Sequence, residues 1–97
     1  MKIVWSPLAM ERAGEIVSHI ALDNPKAAEK LISLVFQKVK RLSQFPQSGR
    51  WVPETNRRDI REIIHGSYRI IYRMGSDHIA ILTIRHGKQL LPRTDIL

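Results

Sequence analysis

The sequence predicts an α+β fold: an N-terminal strand, an antiparallel helical hairpin and then a three-stranded antiparallel meander. Three observations predict it. Two stretches carry apolar residues at helical spacing, and each opens on a polar residue followed by proline; three β-prone runs follow one another across glycine-containing turns; and a short β-prone stretch, KIVW, precedes them all. The 97 residues make one domain, 1–97, long enough for a single core and too short for two.

Residues 2 to 5 read as a strand that stops at Ser6-Pro7, where serine caps a helix and proline occupies its first position. Ala9, Ala13, Ile16, Val17 and Ile20 then fall on one stripe, with Glu11, Arg12, Glu15 and Ser18 on the other side, and the helix ends near Leu22. Asp23-Asn24-Pro25 repeats the start signal. Ala28, Leu31, Val35, Val39 and Leu42 mark the second helix, to about Ser43, and the short joint makes the pair an antiparallel hairpin. FPQSGRWVPETNRR, residues 45 to 58, has no periodicity and reads as a long loop. Within it Trp51 is expected to pin the loop to the core; an aromatic exposed for a partner is the other reading. The strands of the meander are DIREIIH (59 to 65), YRIIYRM (68 to 74) and HIAILTIRH (78 to 86), to which residues 2 to 5 add a fourth.

Composition excludes several classes. No apolar run approaches the roughly 20 residues of a membrane span. Pro7, Glu11 and Arg12 interrupt the N-terminus too early for a signal peptide, and there is no cysteine for disulfides or thiolate-bound metals. A soluble, cytoplasmic protein is expected. Sixteen Lys and Arg against nine Asp and Glu give a net charge of +7. Through Phe36 the chain has four bases (Lys2, Arg12, Lys26, Lys30) and four acids (Glu11, Glu15, Asp23, Glu29), so all of the excess lies beyond that point. Such a distribution fits a polyanionic or acidic partner: nucleic acid, a ribosome or an acidic protein.

The middle strand sorts into Tyr68, Ile70, Tyr72 and Met74 on one face and Arg69, Ile71 and Arg73 on the other. The first set is the better core. If Ala80, Leu82 and Ile84 face the helices from the last strand, Arg85 joins Arg69 and Arg73 on the open side. The first meander strand is undetermined, because one residue of register slip exchanges Arg61 and Ile63 for Glu62 and Ile64. A solvated sheet face bearing arginines, paired with Glu62 across the hairpin, is ordinary for an antiparallel sheet. Several together form a surface suited to gripping phosphates or carboxylates. The four histidines (19, 65, 78, 86) lack metal-ligand spacing, no phosphate-binding glycine loop or nucleophile elbow is present, and Ser67 after Gly66 reads as turn chemistry.

The element order, the loop PQSGRWVPE, and then DIREIIHGSYRIIYR and ILTIRHGKQLL together resemble the RelE/ParE family of toxins from toxin-antitoxin modules, over nearly the whole chain. The resemblance implies a RelE/ParE-like toxin fold, no cofactor, and an antitoxin whose helix and extended segment wrap the toxin; the charge of +7 favours an acidic one. Members like RelE cut messenger RNA in the ribosomal decoding site, and members like ParE poison DNA gyrase.

Cleavage by a 2′-hydroxyl needs a base, cations for the phosphorane and an acid for the leaving oxygen. Arg69 matches the strand arginine of the ribonuclease branch, and Arg85 and His86 complete the set a ribonuclease would use here. After Gly87-Lys88, however, Gln89 stands where that branch has arginine, and no aromatic follows Tyr72. Where it has paired lysines, this chain has Arg61 and Glu62, the first always protonated and the second repelling phosphate. The chain therefore sits closer to the ParE branch, which need not be catalytic and which supplies no catalytic residues. The expected target-binding residues are Arg61, Arg69, Arg73, Arg85, His86 and Lys88. The alternatives are a RelE-like ribosome-dependent endoribonuclease and a non-toxic basic module that binds an antitoxin or nucleic acid.

Overall fold

Each helix starts where its Ser-Pro or Asn-Pro step places it. The computed structural model describes residues 1–87 and 89–96. Strand β1 (Lys2–Trp5) leads into helix α1 (Pro7–Ala21), and Ser6 joins them: its Oγ accepts from the Ala9 amide at 3.0 Å and donates to the Leu82 carbonyl at 2.9 Å. One hydroxyl thus caps the helix and ties its start to the sheet. Asn24 caps helix α2 (Pro25–Arg41) by accepting from the Ala27 amide at 3.1 Å. Lys38, Lys40 and Arg41 fill the last turn of α2, where cations complement the helix dipole.

Strands β2 (Arg50–Trp51), β3 (Ile60–His65), β4 (Tyr68–Met74) and β5 (His78–His86) complete a five-stranded sheet of order β1-β5-β4-β3-β2. β1 runs parallel to β5, and the other neighbours are antiparallel. The β3–β4 turn is Gly66-Ser67, with Gly66 at φ +56°, a left-handed conformation that glycine adopts without steric cost. The three meander strands lie as the sequence predicts. The two-residue β2 does not: it lies inside the stretch expected to be a structureless loop.

The alternation expected of β5 fails at one residue. Ile71 pairs with Thr83 but Tyr72 pairs with Ile81, so Leu82 is an extra residue in a β-bulge. The bulge changes the phase of the strand. Ile79, Ile81 and Ile84 face the helices, where Ala9, Ala13, Val35, Val39 and Leu42 meet them with Ile70 and Tyr72. Ala80 and Leu82, expected on that side, face away. The substitution is favourable, because it gives the main core isoleucine in place of alanine, at about 0.8 kcal/mol per additional buried methylene.

The far face of the sheet is not open. Val52, Ile60, Ile71, Leu82 and Leu91 form a second, smaller core there, with Ala80 and Ile96 packed on it. Val52 and Glu54 cover this face from one side. From the other comes the C-terminal segment, whose 3₁₀ turn (Arg93–Asp95) buries Asp95 against the Thr83 hydroxyl at 3.0 Å. Val52, not Trp51, is the anchor of the loop: Val52 is buried and Trp51 is 57% exposed. Trp51 pairs with Arg61 on the helix side, and the alternation of an extended chain turns the next residue, Val52, onto the far face.

Tyr72 fixes the start of that loop from the other side. Its hydroxyl donates to the Pro46 carbonyl at 2.7 Å and accepts from the Gly49 amide at 3.0 Å. A Cβ on Gly49 would lie 2.5 Å from the Tyr72 oxygen and 2.7 Å from the Glu62 carbonyl oxygen. Gly49→Ala is therefore expected to destabilise the protein by about 1–3 kcal/mol, the usual range for overpacking. A urea midpoint equal to that of the unmodified chain would show that the loop relaxes freely.

Candidate functional site

Register decides what stands beside Arg69. Glu62 pairs with Ile71 and Ile64 pairs with Arg69, so Glu62 shares the face of Arg69, Ile71 and Arg73, while Arg61 points to the helix side. Arg69 is buried, 7% exposed, and Glu62 is 1% exposed. Two such charges in the same layer persist only if each compensates the other.

They do so within a four-membered network. Arg69 Nε donates to Glu62 Oε1 at 2.7 Å, and its Nη1 and Nη2 grip both oxygens of Glu54 at 2.7 Å each. Glu62 Oε2 accepts from Arg50 Nε at 2.6 Å. Glu54 and Arg50 belong to the segment covering the sheet, so the ion pairs are also the fastening of that segment. Hydrogen bonding to Glu54, with Glu62 adding to it against the cost of burial, raises the Arg69 pKa further above the ordinary arginine value. The same bonds hold the Glu54 carboxyl below the usual carboxylate range, again against burial. Two guanidinium groups and two carboxylates cancel, so a phosphate arriving here meets a neutral cluster.

The remaining predicted residues disperse. Arg73 shares the face of Arg69 and is half-buried beside Ile60 and Ala80. Arg85 lies directly across from Arg69 on β5; it donates to the Leu90 carbonyl at 3.1 Å and sits 3.9 Å from the Asp95 carboxylate. His86 pairs with Tyr68 and packs edge-to-face on its ring at 5.7 Å, at the helix side. Arg61 donates to the carbonyls of Gln47 and Gly49 at 3.3 and 2.9 Å. Lys88 lies outside the described residues. The structure therefore brings Arg69, Arg73 and Arg85 together and separates them from Arg61 and His86. Among the described residues no group of three or more His, Cys, Asp or Glu is placed to hold a metal ion, and no helix is long and apolar enough to cross a membrane.

Two features were missed in the sequence. Arg58 and Arg61 lie over the Trp51 ring, 5.9 and 5.8 Å from its centroid. Next to them a groove of about 510 Å³ runs between the end of α2 and β3, lined by Lys38, Arg41, Arg50, Phe45, Ile63 and Ile64. The spacing of Trp51 and Arg61 carried no signal, because the pairing of β2 with β3 that joins them was not legible.

A strand, a helical hairpin and a meander closed by its own loop make the fold of a RelE/ParE-type toxin. The chain belongs to the ParE toxin family: the family model "ParE toxin of type II toxin-antitoxin system, parDE" matches residues 3–91. It is 32% identical over 94 residues to a Sinorhizobium fredii protein described as "Putative toxin Y4kP", covering 95% of this chain and 94% of that one. A solved structure titled "Chromosomal ParDE TA system from P. aeruginosa" shares the fold at a TM-score of 0.75 and 22% identity, over 91% of this chain and 97% of that one.

Two outcomes are expected from the network. Arg69→Ala leaves Glu62 buried with Arg50 alone and is expected to cost about 3 kcal/mol, the low end for breaking a buried pair; an unchanged urea midpoint would contradict this. The second concerns pH. Because the Glu54 pKa is depressed on folding, its contribution is fully present above about pH 4.3, the unperturbed glutamate value, and is lost as pH falls through the lower folded value. The stability difference between the unmodified chain and Glu54→Gln is therefore expected to shrink below that pH, and parallel acid titrations would rule the pairing out.

Proposed function

We propose that the protein arrests growth by binding and poisoning DNA gyrase in the cytoplasm, without itself being a catalyst, and that an acidic antitoxin neutralises it. The observation that carries this reading is the commitment of Arg69. Its Nε and both Nη groups are engaged by Glu54 and Glu62, so the arginine that would stabilise a phosphorane in a ribonuclease is instead part of the fold. His86, the remaining candidate acid, lies on the other side of the sheet from Arg69. Among the described residues, the carboxylates of that face, Glu54 and Glu62, are taken up by Arg69 and Arg50, and its other cations are arginines that stay protonated, a poor set from which to draw a general base.

Antitoxin capture draws support from the groove beside α2. Lys38 and Arg41 supply positive charge, while Phe45 and Ile64 expose apolar surface. β2 pairs with only Arg61 and Glu62, so the outer edge of β3 runs on unpaired by any strand over residues 63–65, where Lys38 Nζ donates to the Ile64 carbonyl at 3.0 Å. A segment alternating acidic and apolar residues would satisfy both the charges and the edge.

Induced expression without antitoxin, with DNA, RNA and protein synthesis followed separately, tests the proposal. DNA synthesis is expected to stop first while translation continues, and the purified folded chain is expected to block supercoiling by gyrase. Early loss of translation with cut messages would replace this reading with a ribonuclease. Expression of folded protein without any arrest would replace it with a non-toxic binding module.

A further inference from the structure

Carboxylates take up Arg50, Arg57 and Arg69 on and around the sheet face, and part of the charge left without one lies at the outer edge around Trp51. Asp59 takes up Arg57, at 3.0 and 2.7 Å, and Glu62 takes up Arg50. Arg58 and Arg61 have no carboxylate partner among the described residues: Arg58 rests on the indole, and Arg61 is held by two backbone carbonyls, which fix its position without cancelling its charge. The result is an exposed tryptophan flanked by two uncompensated guanidinium groups. It sits on the edge strand of the sheet, the two guanidinium groups over its ring and 57% of the residue still exposed.

We propose that Trp51 with Arg58 and Arg61 is a contact site for single-stranded nucleic acid. An unpaired base stacks on the indole, and its flanking phosphates meet the two arginines. Each part answers to the chemistry of such a strand. A planar exposed ring accepts any base face, guanidinium groups extend a stacked layer and bind phosphate, and a duplex offers no unstacked base to the ring. An acidic peptide would use the charges but not the ring. This site shares no residue with the Arg69 network and holds whether or not gyrase is the target.

The test is titration of the full chain with 12-residue oligo(dT), oligo(U) and a duplex DNA of the same length, read by anisotropy and by tryptophan emission. Trp5 packs on Phe36 at 5.1 Å and is half-buried, so quenching reports on Trp51. Salt-dependent binding is expected, with single strands preferred over duplex. Trp51→Ala is expected to weaken binding at least about tenfold and Trp51→Phe much less, since stacking survives. Arg58→Ala should lower the salt slope by about one. Both side chains are exposed, so these variants leave the core intact, as an unchanged urea midpoint will show. The ratio of oligo(dT) to oligo(U) affinity distinguishes DNA from RNA as the strand bound. Absence of binding, equal affinity for duplex, unchanged affinity in Trp51→Ala, or displacement by polyglutamate of equal charge would each overturn the proposal.

Discussion

A guanidinium group in the middle of a sheet must either reach water or meet carboxylates, and Arg69 meets them. Its ring of partners, Glu54, Glu62 and through Glu62 Arg50, determines how the far side of the sheet is built. Glu54 and Arg50 come from the segment that Val52 anchors, so the polar and apolar fastenings of that segment lie side by side. Without the carboxylates, the arginine would be an uncompensated buried charge; without the arginine, the buried Glu62 would keep Arg50 alone. Asp95, bonded to Thr83 and lying 4.0 Å from Arg12 and 3.9 Å from Arg85, repeats the arrangement in weaker form for the C-terminal segment. Both faces of the sheet are thus covered, one by helices and the other by chain that its own arginines retain.

This arrangement changes what the sheet face offers a partner. A basic sheet face invites a polyanion, but here the carboxylates fastening the cover occupy Arg69 and Arg50. Positive charge without a carboxylate partner among the described residues lies at the β2–β3 edge and the end of α2, next to Trp51, Phe45 and Ile64, apolar groups the fold leaves exposed nearby. On the reading proposed above, action by contact rather than by cleavage would draw on such a surface and would not need the buried arginine to be reachable.

Most of the fold was legible because its signals are local. Ser6-Pro7 and Asn24-Pro25 start the helices, Gly66-Ser67 turns the hairpin, and the apolar periodicities mark the faces. The bulge at Leu82 was not legible, since Ala80/Leu82/Ile84 and Ile79/Ile81 are both acceptable apolar stripes and only packing against the helices chooses between them. The candidate site was less legible still. Arg69, Arg73 and Arg85 do share a face, but whether arginines face water or carboxylates depends on Glu54, which is 15 residues away in a segment without periodicity. Trp51 misled for the same reason: an aromatic in a loop reads as an anchor until the neighbouring Val52 is seen to take the buried position.

The cover over the far face depends on Arg69 being a buried group held by its carboxylates. The most direct measurement is the solvent exchange of its side-chain Nε proton by NMR, compared with that of exposed Arg58, in the presence and absence of inorganic phosphate. A proton held between Arg69 and Glu62 at 2.7 Å is expected to exchange far more slowly than that of Arg58, with a resonance that phosphate does not move. Exchange as fast as that of Arg58, or a shift on adding phosphate, would show that the sheet face opens to anions and would return Arg69 to the role of a phosphate-binding residue.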